Sequence, residues 1–220
     1  MTREGELERR ILELGPSLPG ASAAAVRREA PRLARFLARL LTESERMNLV
    51  SAAAARPGEL VGRHLLDALL GLEFLPGPRS GGLTLLDIGS GGGLPALPLL
   101  IVRGDLRGTL VDSTGKKCRF LADACRELSL TADVVNARFP DSFPMRPPAR
   151  FDLLTSRAVS RAGRLVRAAR PLLTAGARAL LWTTAGLFGE LVRESGCAEA
   201  SFHRAPGAES RGIALLESFT

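Results

Sequence analysis

The segment LLDIGSGGGLPALP, Leu85 to Pro98, constrains this chain more than any other. LTLLDI (Leu83–Ile88) is a short apolar run that reads as a buried strand. Gly89, Gly91, Gly92 and Gly93 follow, and the stretch after Gly93 reads as a helix. Pro95 and Pro98 fit a first helical turn, whose N–H groups lack intrahelical partners anyway. Glycines let the backbone turn sharply and approach a ligand with no Cβ in the way. The helix N-terminus behind them offers free N–H groups and a positive dipole end to an anion.

The alternation continues. GTLVD (Gly108–Asp112) is a strand, Gly115 to Leu128 a helix, ADVVN (Ala132–Asn136) and FDLLTS (Phe151–Ser156) strands, Gly163 to Leu173 a helix, and ARALLW (Ala177–Trp182) a strand. One helix and two closing strands follow, through RGIALLESF. This predicts an α/β fold with a doubly wound, mostly parallel, seven-stranded sheet. Ligands in such sheets sit at the carboxyl ends of the strands. Before Gly81 the pattern is helical: Leu33, Phe36, Leu37, Leu40 and Leu41 make one apolar stripe within Pro31 to Leu41, and Glu59 to Phe74 repeats it loosely. PGPRSGG (Pro76–Gly82) is a turn-rich linker. The expected organisation is an N-terminal helical extension, 1–80, and a ligand-binding domain, 81–220.

With 220 residues, 45% of them hydrophobic and 24% charged, the chain can build a packed core. No apolar stretch reaches the ~20 residues needed to span a bilayer, and MTREGELERR is too charged for a secretory leader. Cys118, Cys125 and Cys197 have neither disulfide-framework nor zinc spacing and suit a reducing cytosol. The expectation is a cytoplasmic monomer with no metal and no membrane partner. Net charge is +7 and the isoelectric point about 10.7, which points to a polyanion partner. Lys116 and Lys117 are the only lysines, so the same charge also fits the codon bias of a GC-rich genome.

Asp112 ends the second strand, 25 residues after Asp87, where an acid can accept both hydroxyls of an adenosine ribose. The dinucleotide fingerprint G-x-G-x-x-G, laid on Gly89 and Gly91, would need a small residue where Leu94 stands. D-I-G-S-G-G-G, with Asp87 two residues ahead of the first glycine, is instead the pattern of class I (Rossmann-like) methyltransferases, whose cofactor is S-adenosyl-L-methionine. Asp87, Gly89, Gly91, Gly93 and Asp112 are thus cofactor candidates.

At these residues the sequence resembles the ribosomal RNA small-subunit methyltransferase G family, also called glucose-inhibited division protein B. The loop Asp87 to Pro98 resembles that family's D-[VI]-G-[TS]-G-x-G-[FL]-P-G-[IL]-P. MNLVS (Met47–Ser51), RHLLDALL (Arg63–Leu70), LVDSTGKKCRFL (Leu110–Leu121) and FDLLTSRAVS (Phe151–Ser160) resemble four further blocks, in order. The resemblance implies methylation of N7 of one guanosine in 16S ribosomal RNA, within the small ribosomal subunit. It also implies that Gly89 and Leu94 line the cofactor loop, that Phe139 and Pro140 cradle the adenine, and that Arg157 is a cofactor-site arginine. Three departures stand out: Ala96 replaces a glycine, Trp182-Thr183-Thr184 stand where a K-G pair is usual, and a terminal basic residue is missing near Glu217.

Other residues carry two readings each. Arg157 ends a strand, where it pairs with a cofactor carboxylate, an RNA phosphate or a surface acid. His64 and Asp67, beside Arg63, either cover the mouth of the site or form a polar cap tying the N-terminal helices to the sheet. Lys116, Lys117 and Arg119 open a helix against its dipole, which suits an anionic RNA partner or a solvated face. Trp182 stacks on a base or packs beside the sheet. N-P-P-[YF] and Pro-Cys are absent. Methylating guanine N7 removes no proton, so positioning alone suffices, with no catalytic residue except at most Arg157. The rival readings are a methyltransferase for another substrate and a basic RNA-binding protein without catalysis.

Overall fold

The structure is a computed structural model and describes residues 2–47, 49–51, 55–144, 150–157, 159 and 161–219. Seven strands form one sheet: β1 (Leu83–Ile88), β2 (Leu106–Asp112), β3 (Ala132–Asn136), β4 (Phe151–Arg157), β5 (Leu173–Thr184), β6 (Glu199–Arg204) and β7 (Arg211–Glu217). Their spatial order is β3-β2-β1-β4-β5-β7-β6. The first five are parallel; β7 runs antiparallel to both β5 and β6. The expected α/β class and mostly parallel sheet are found.

Period-two geometry makes the central strands apolar throughout. In β1, Leu83 and Leu85 enter one buried cluster, while Leu86 and Ile88 enter the other on the opposite face. Helices α8 (Ala162–Ala169) and α9 (Ala185–Ser195) cover the second face. The first is covered by α6 (Ala96–Val102) and α7 (Gly115–Glu127), with the N-terminal helices packed into the same cluster. Among those, α3 (Ala30–Met47) buries Leu33, Phe36, Leu37 and Leu40 completely, the stripe read from the sequence. Two further helices, α1 (Arg3–Leu14) and α2 (Gly20–Arg28), precede it; Thr2 caps α1 by accepting from Gly5 N at 3.1 Å.

Some boundaries differ from expectation. Pro95 caps α6, so that helix begins at Ala96 rather than directly after Gly93. The helix expected over Gly163–Leu173 stops at Ala169, because Pro171 cannot donate a helical hydrogen bond; Arg170–Leu172 tighten into a 3₁₀ turn and Leu173 opens β5. Glu59–Phe74 is not one regular helix. It divides into α4 (Pro57–Glu59), a π-helical turn (Leu60–Leu65), α5 (Leu66–Leu69) and a 3₁₀ turn (Leu70–Phe74). Among the described residues no helix is long and apolar enough to cross a membrane. Strand order reverses between β1 and β4, so a crevice opens at their carboxyl ends.

Candidate functional site

The glycine loop is stitched to the end of β2. Gly89 N and Ser90 N donate to Val111 O at 2.8 and 3.0 Å, and Gly91 N donates to Asp112 Oδ2 at 2.9 Å. Asp112 Oδ1 accepts from Thr114 N at 2.8 Å, so one carboxylate clamps the loop and its own strand exit. Each oxygen keeps a lone pair for a further donor. Gly89 has φ +76°, and a Cβ there would stand 2.7 Å from Val159 Cγ2. Gly93 (φ +84°) would drive a Cβ to 2.6 Å from Leu97 Cδ1, so its work is packing behind the loop.

Asp87 lies fully behind that loop, 1% exposed. The β1–β4 register sets it beside Thr155, whose Oγ1 donates to Asp87 Oδ1 at 2.6 Å. Asp87 Oδ2 has no hydrogen-bond partner among the described residues. Burial pushes the carboxyl up to about 6, against the Thr155 and Ser90 hydrogen bonds, and the charge of Asp112 pushes the same way as burial.

Two cavities meet at Gly89 and Asp112. One, about 150 Å³, is walled by Ile88, Val111, Phe139 and Leu165, an apolar slot for a flat ring. The other, about 360 Å³, is bordered by His64, Leu94, Lys117 and Arg157 and is cationic. The pair suits a ligand with a flat ring, then vicinal hydroxyls, then an anionic end. A third cavity, about 410 Å³, lies at the carboxyl ends of β4 and β5 and shares Arg157 and Val159 with the first two.

The irregular segment before β1 meets this region. Arg157 Nη2 bonds His64 Nδ1 at 2.8 Å, and Nη1 donates to His64 O at 3.4 Å. Asp67 pairs with Arg211, the first residue of β7, and its carbonyl accepts from Trp182 Nε1 at 2.6 Å. Burial lowers His64 to about 4, helped by Arg157 and Arg211. Burial raises Asp67, opposed by Arg211 and Arg157. His64 and Asp67 therefore both tie the helices to the sheet and line cavities. Trp182 is half-buried: it packs on Gly71 and borders the third cavity.

Both edges of the sheet carry paired and unpaired basic residues. At the amino edge Arg79–Asp152 at 3.5 Å, Arg103–Asp105 at 2.7 Å and Arg178–Glu217 at 2.8 Å are paired, while Arg107 and Arg150 make no ion pair among the described residues. At the carboxyl edge Lys116, Lys117, Arg119, Arg138 and Arg161 make no ion pair among the described residues. Glu217, and with it the missing terminal basic residue, stands at the amino edge, away from the cavities.

The cavities thus gather Gly89, Gly91, Leu94, Asp112, Phe139, Arg157, His64 and Lys117 from the sequence candidates. Asp87, Gly93 and Pro140 line neither of the first two cavities. Lys116 and Arg119 are exposed on α7, and exposed Arg63 pairs with Glu59 at 3.2 Å. Asn48, Ala158 and Ser160, within two of the family-like blocks, lie outside the described residues. Sequence reading missed Thr155, Val159 and Arg211. The first two fall inside FDLLTSRAVS, so proximity to Arg157 was the available signal; Arg211 had none. Among the described residues no three His, Cys, Asp or Glu side chains gather as a metal site.

Comparison with known proteins bears on the family and the fold. The family profile described as rRNA small subunit methyltransferase G matches residues 29–198. A protein named ribosomal RNA small subunit methyltransferase G from Acidiphilium cryptum is 35% identical over 184 residues, 84% of this chain and 82% of that protein. One of the same name from Limosilactobacillus fermentum is 30% identical over 226 aligned positions, 96% and 89% of the two chains. Among solved structures, a methyltransferase from Pyrococcus furiosus superposes with a TM-score of 0.57 at 12% identity, covering 84% of this chain and 97% of that one, and so speaks for the fold. By profile and by relatives spanning most of its length, the chain belongs to the rRNA small subunit methyltransferase G family.

Proposed function

We propose that the protein transfers a methyl group from S-adenosyl-L-methionine to N7 of one guanosine in 16S ribosomal RNA of the small subunit. The observation that carries this is the pair of cavities joined at Asp112, opening beside a third at the carboxyl ends of the strands, where Lys116, Lys117 and Arg119 make no ion pair among the described residues. The residues fit the cofactor: Phe139, with Pro140 next to it, sides the ring slot. Asp112 has lone pairs for the ribose hydroxyls, and Arg157 and Lys117 offer charge to the carboxylate end. Gly89, Gly91, Gly93 and Leu94 shape the loop, and Asp87 supports it from behind. When bound, the cofactor supplies a sulfonium methyl: the N7 lone pair forms the C–N bond as the C–S bond breaks, and the positive charge passes to the base.

No proton leaves, so no general base is required. His64, the imidazole at the cavity, has its Nδ1 lone pair engaged by Arg157 and is not available as one. Arg157 acts by charge and placement. Arg63, His64, Lys116, Lys117 and Arg119 border the approach for RNA phosphates. We read 1–80 as a helical extension of the methyltransferase domain 81–220, and the protein as a cytoplasmic monomer that uses no metal. The test is incubation with S-adenosyl-L-methionine and small subunits from cells lacking the gene. Reduction followed by aniline should cut the RNA at one guanosine; N1- or N2-methylguanosine in the digest would refute the N7 assignment.

A further inference from the structure

We propose that the third cavity receives the target guanine, and that Asp67 and Arg211 read its Watson–Crick edge. This rests on the RNA methylation reading above and names what selects the base. The cavity stands at the carboxyl ends of β4 and β5, and its walls include Arg157 and Val159, which also wall the two cofactor-side cavities. A group seated there is a neighbour of whatever those cavities hold. Its lining is mainly apolar, with the half-buried Trp182, Leu70 and Ile213 offering surfaces to a flat ring. An enzyme acting on a base takes that base out of the stack and into such a pocket, then recognises it through the Watson–Crick edge.

Two of the polar groups that line this cavity, Asp67 and Arg211, complement guanine. Asp67 Oδ2 is engaged by Arg211, while Asp67 Oδ1 has no hydrogen-bond partner among the described residues. A carboxylate only accepts, and a guanidinium only donates. Together they present acceptors followed by donors. Guanine offers the complement along one edge: N2–H and N1–H donate, and O6 accepts. Adenine and cytosine place an acceptor where guanine has N1–H, against the carboxylate, and uracil places the acceptor O2 where guanine has its N2 amino group. Engaging this edge leaves N7 unoccupied, as methylation there demands. The reader is also fixed in advance. The Asp67 carbonyl accepts from Trp182 Nε1 on β5 at 2.6 Å and its carboxylate from Arg211 on β7, so both backbone and side chain are held without a ligand.

The experiment uses the full chain, S-adenosyl-L-methionine and 16S RNA assembled with either guanosine or inosine at the methylated position. Inosine keeps N7, O6 and N1–H and lacks only the N2 amino group. Wild type should methylate the inosine RNA about tenfold or more slowly in single turnover, the loss of a hydrogen bond to a charged acceptor. Asp67→Asn should slow the guanosine reaction and treat the two RNAs alike, a result that loss of packing would not produce. The proposal is overturned if wild type does not distinguish the RNAs, or if folded Asp67→Asn slows both equally and keeps the wild-type ratio. The wild-type comparison decides even if that variant does not fold. Absence of any methylation of the guanosine RNA would instead sink the underlying function, a separate and recognisable failure.

Discussion

Arg157 and His64, 93 residues apart in sequence, meet at 2.8 Å with the guanidinium facing Nδ1. A guanidinium has only donors, so Nδ1 is the acceptor and the ring carries its proton on Nε2. The imidazole is therefore neutral, in keeping with its lowering from 6.5 to about 4. The contact joins the π-helical turn to the end of β4 and borders a cofactor-side cavity.

That pair and Asp87 give opposite pH responses. Unfolded, His64 takes up a proton near 6.5, but folded only near 4, so its contribution is complete above pH 6.5 and is lost as pH falls towards 4. Asp87 is raised to about 6 in the fold from 3.8, so acidification from pH 6 to 3.8 stabilises the fold. In urea unfolding between about pH 4.5 and 6.5, His64→Gln should lose stability less on acidification than wild type, and Asp87→Asn should lose more. Parallel curves for the three proteins would contradict both assignments.

Asp112 carries a second prediction. Asp112→Ala should weaken S-adenosyl-L-methionine binding by about 1.5–3 kcal/mol, the range for hydrogen bonds to a charged group. It should also release Gly91 N and Thr114 N, so the ligand-free variant should show faster amide exchange at those two positions. Calorimetry giving wild-type affinity in a folded variant would remove Asp112 from the site.

Gly71 is open to a packing test. A Cβ there would stand 2.9 Å from both Cη2 and Cζ2 of Trp182. Gly71→Ala should destabilise the fold by roughly 1–3 kcal/mol, the cost of overpacking. Because Trp182 also borders the third cavity, kcat should fall with it, while S-adenosyl-L-methionine affinity is retained. Unchanged chemical unfolding would disprove the close approach.

The unpaired Lys116, Lys117 and Arg119 predict salt-dependent RNA binding. Replacing Lys116, Lys117 and Arg119 together by Ala should flatten the log–log salt slope by about 2, at ~0.7 for each single-strand phosphate no longer neutralised. An identical slope would mean that this face of α7 does not meet RNA.

The chemistry predicts a flat pH profile. With no proton removed, the single-turnover rate should vary little over about pH 6.5–9. A tenfold rise per pH unit would require a base.

Local patterns explain what the sequence made legible. β1, the glycine loop and Asp112 were readable because apolar runs, glycines and strand-end acids act over short spans. The division of Glu59–Phe74 was not, since α, π and 3₁₀ turns accept the same loose apolar spacing. The partner of Asp87 depended on strand register: Thr155 is opposite only because β1 and β4 align Leu85 with Leu153. Arg211 depended on more. It reaches Asp67 across 144 residues because β7 turns back antiparallel to β5 and sets Arg211 opposite Thr184.

The same return of β7 has a consequence for how the protein is made. Leu165 is the last residue in chain order to line either cofactor-side cavity, whereas the third cavity needs Arg211 and Ile213. As the chain leaves the ribosome, the lining of the cofactor half is therefore complete about 46 residues before Arg211 arrives to complete the base-receiving half. On the proposal made above, the last strand sets the moment at which a newly made molecule gains the residues that read its base.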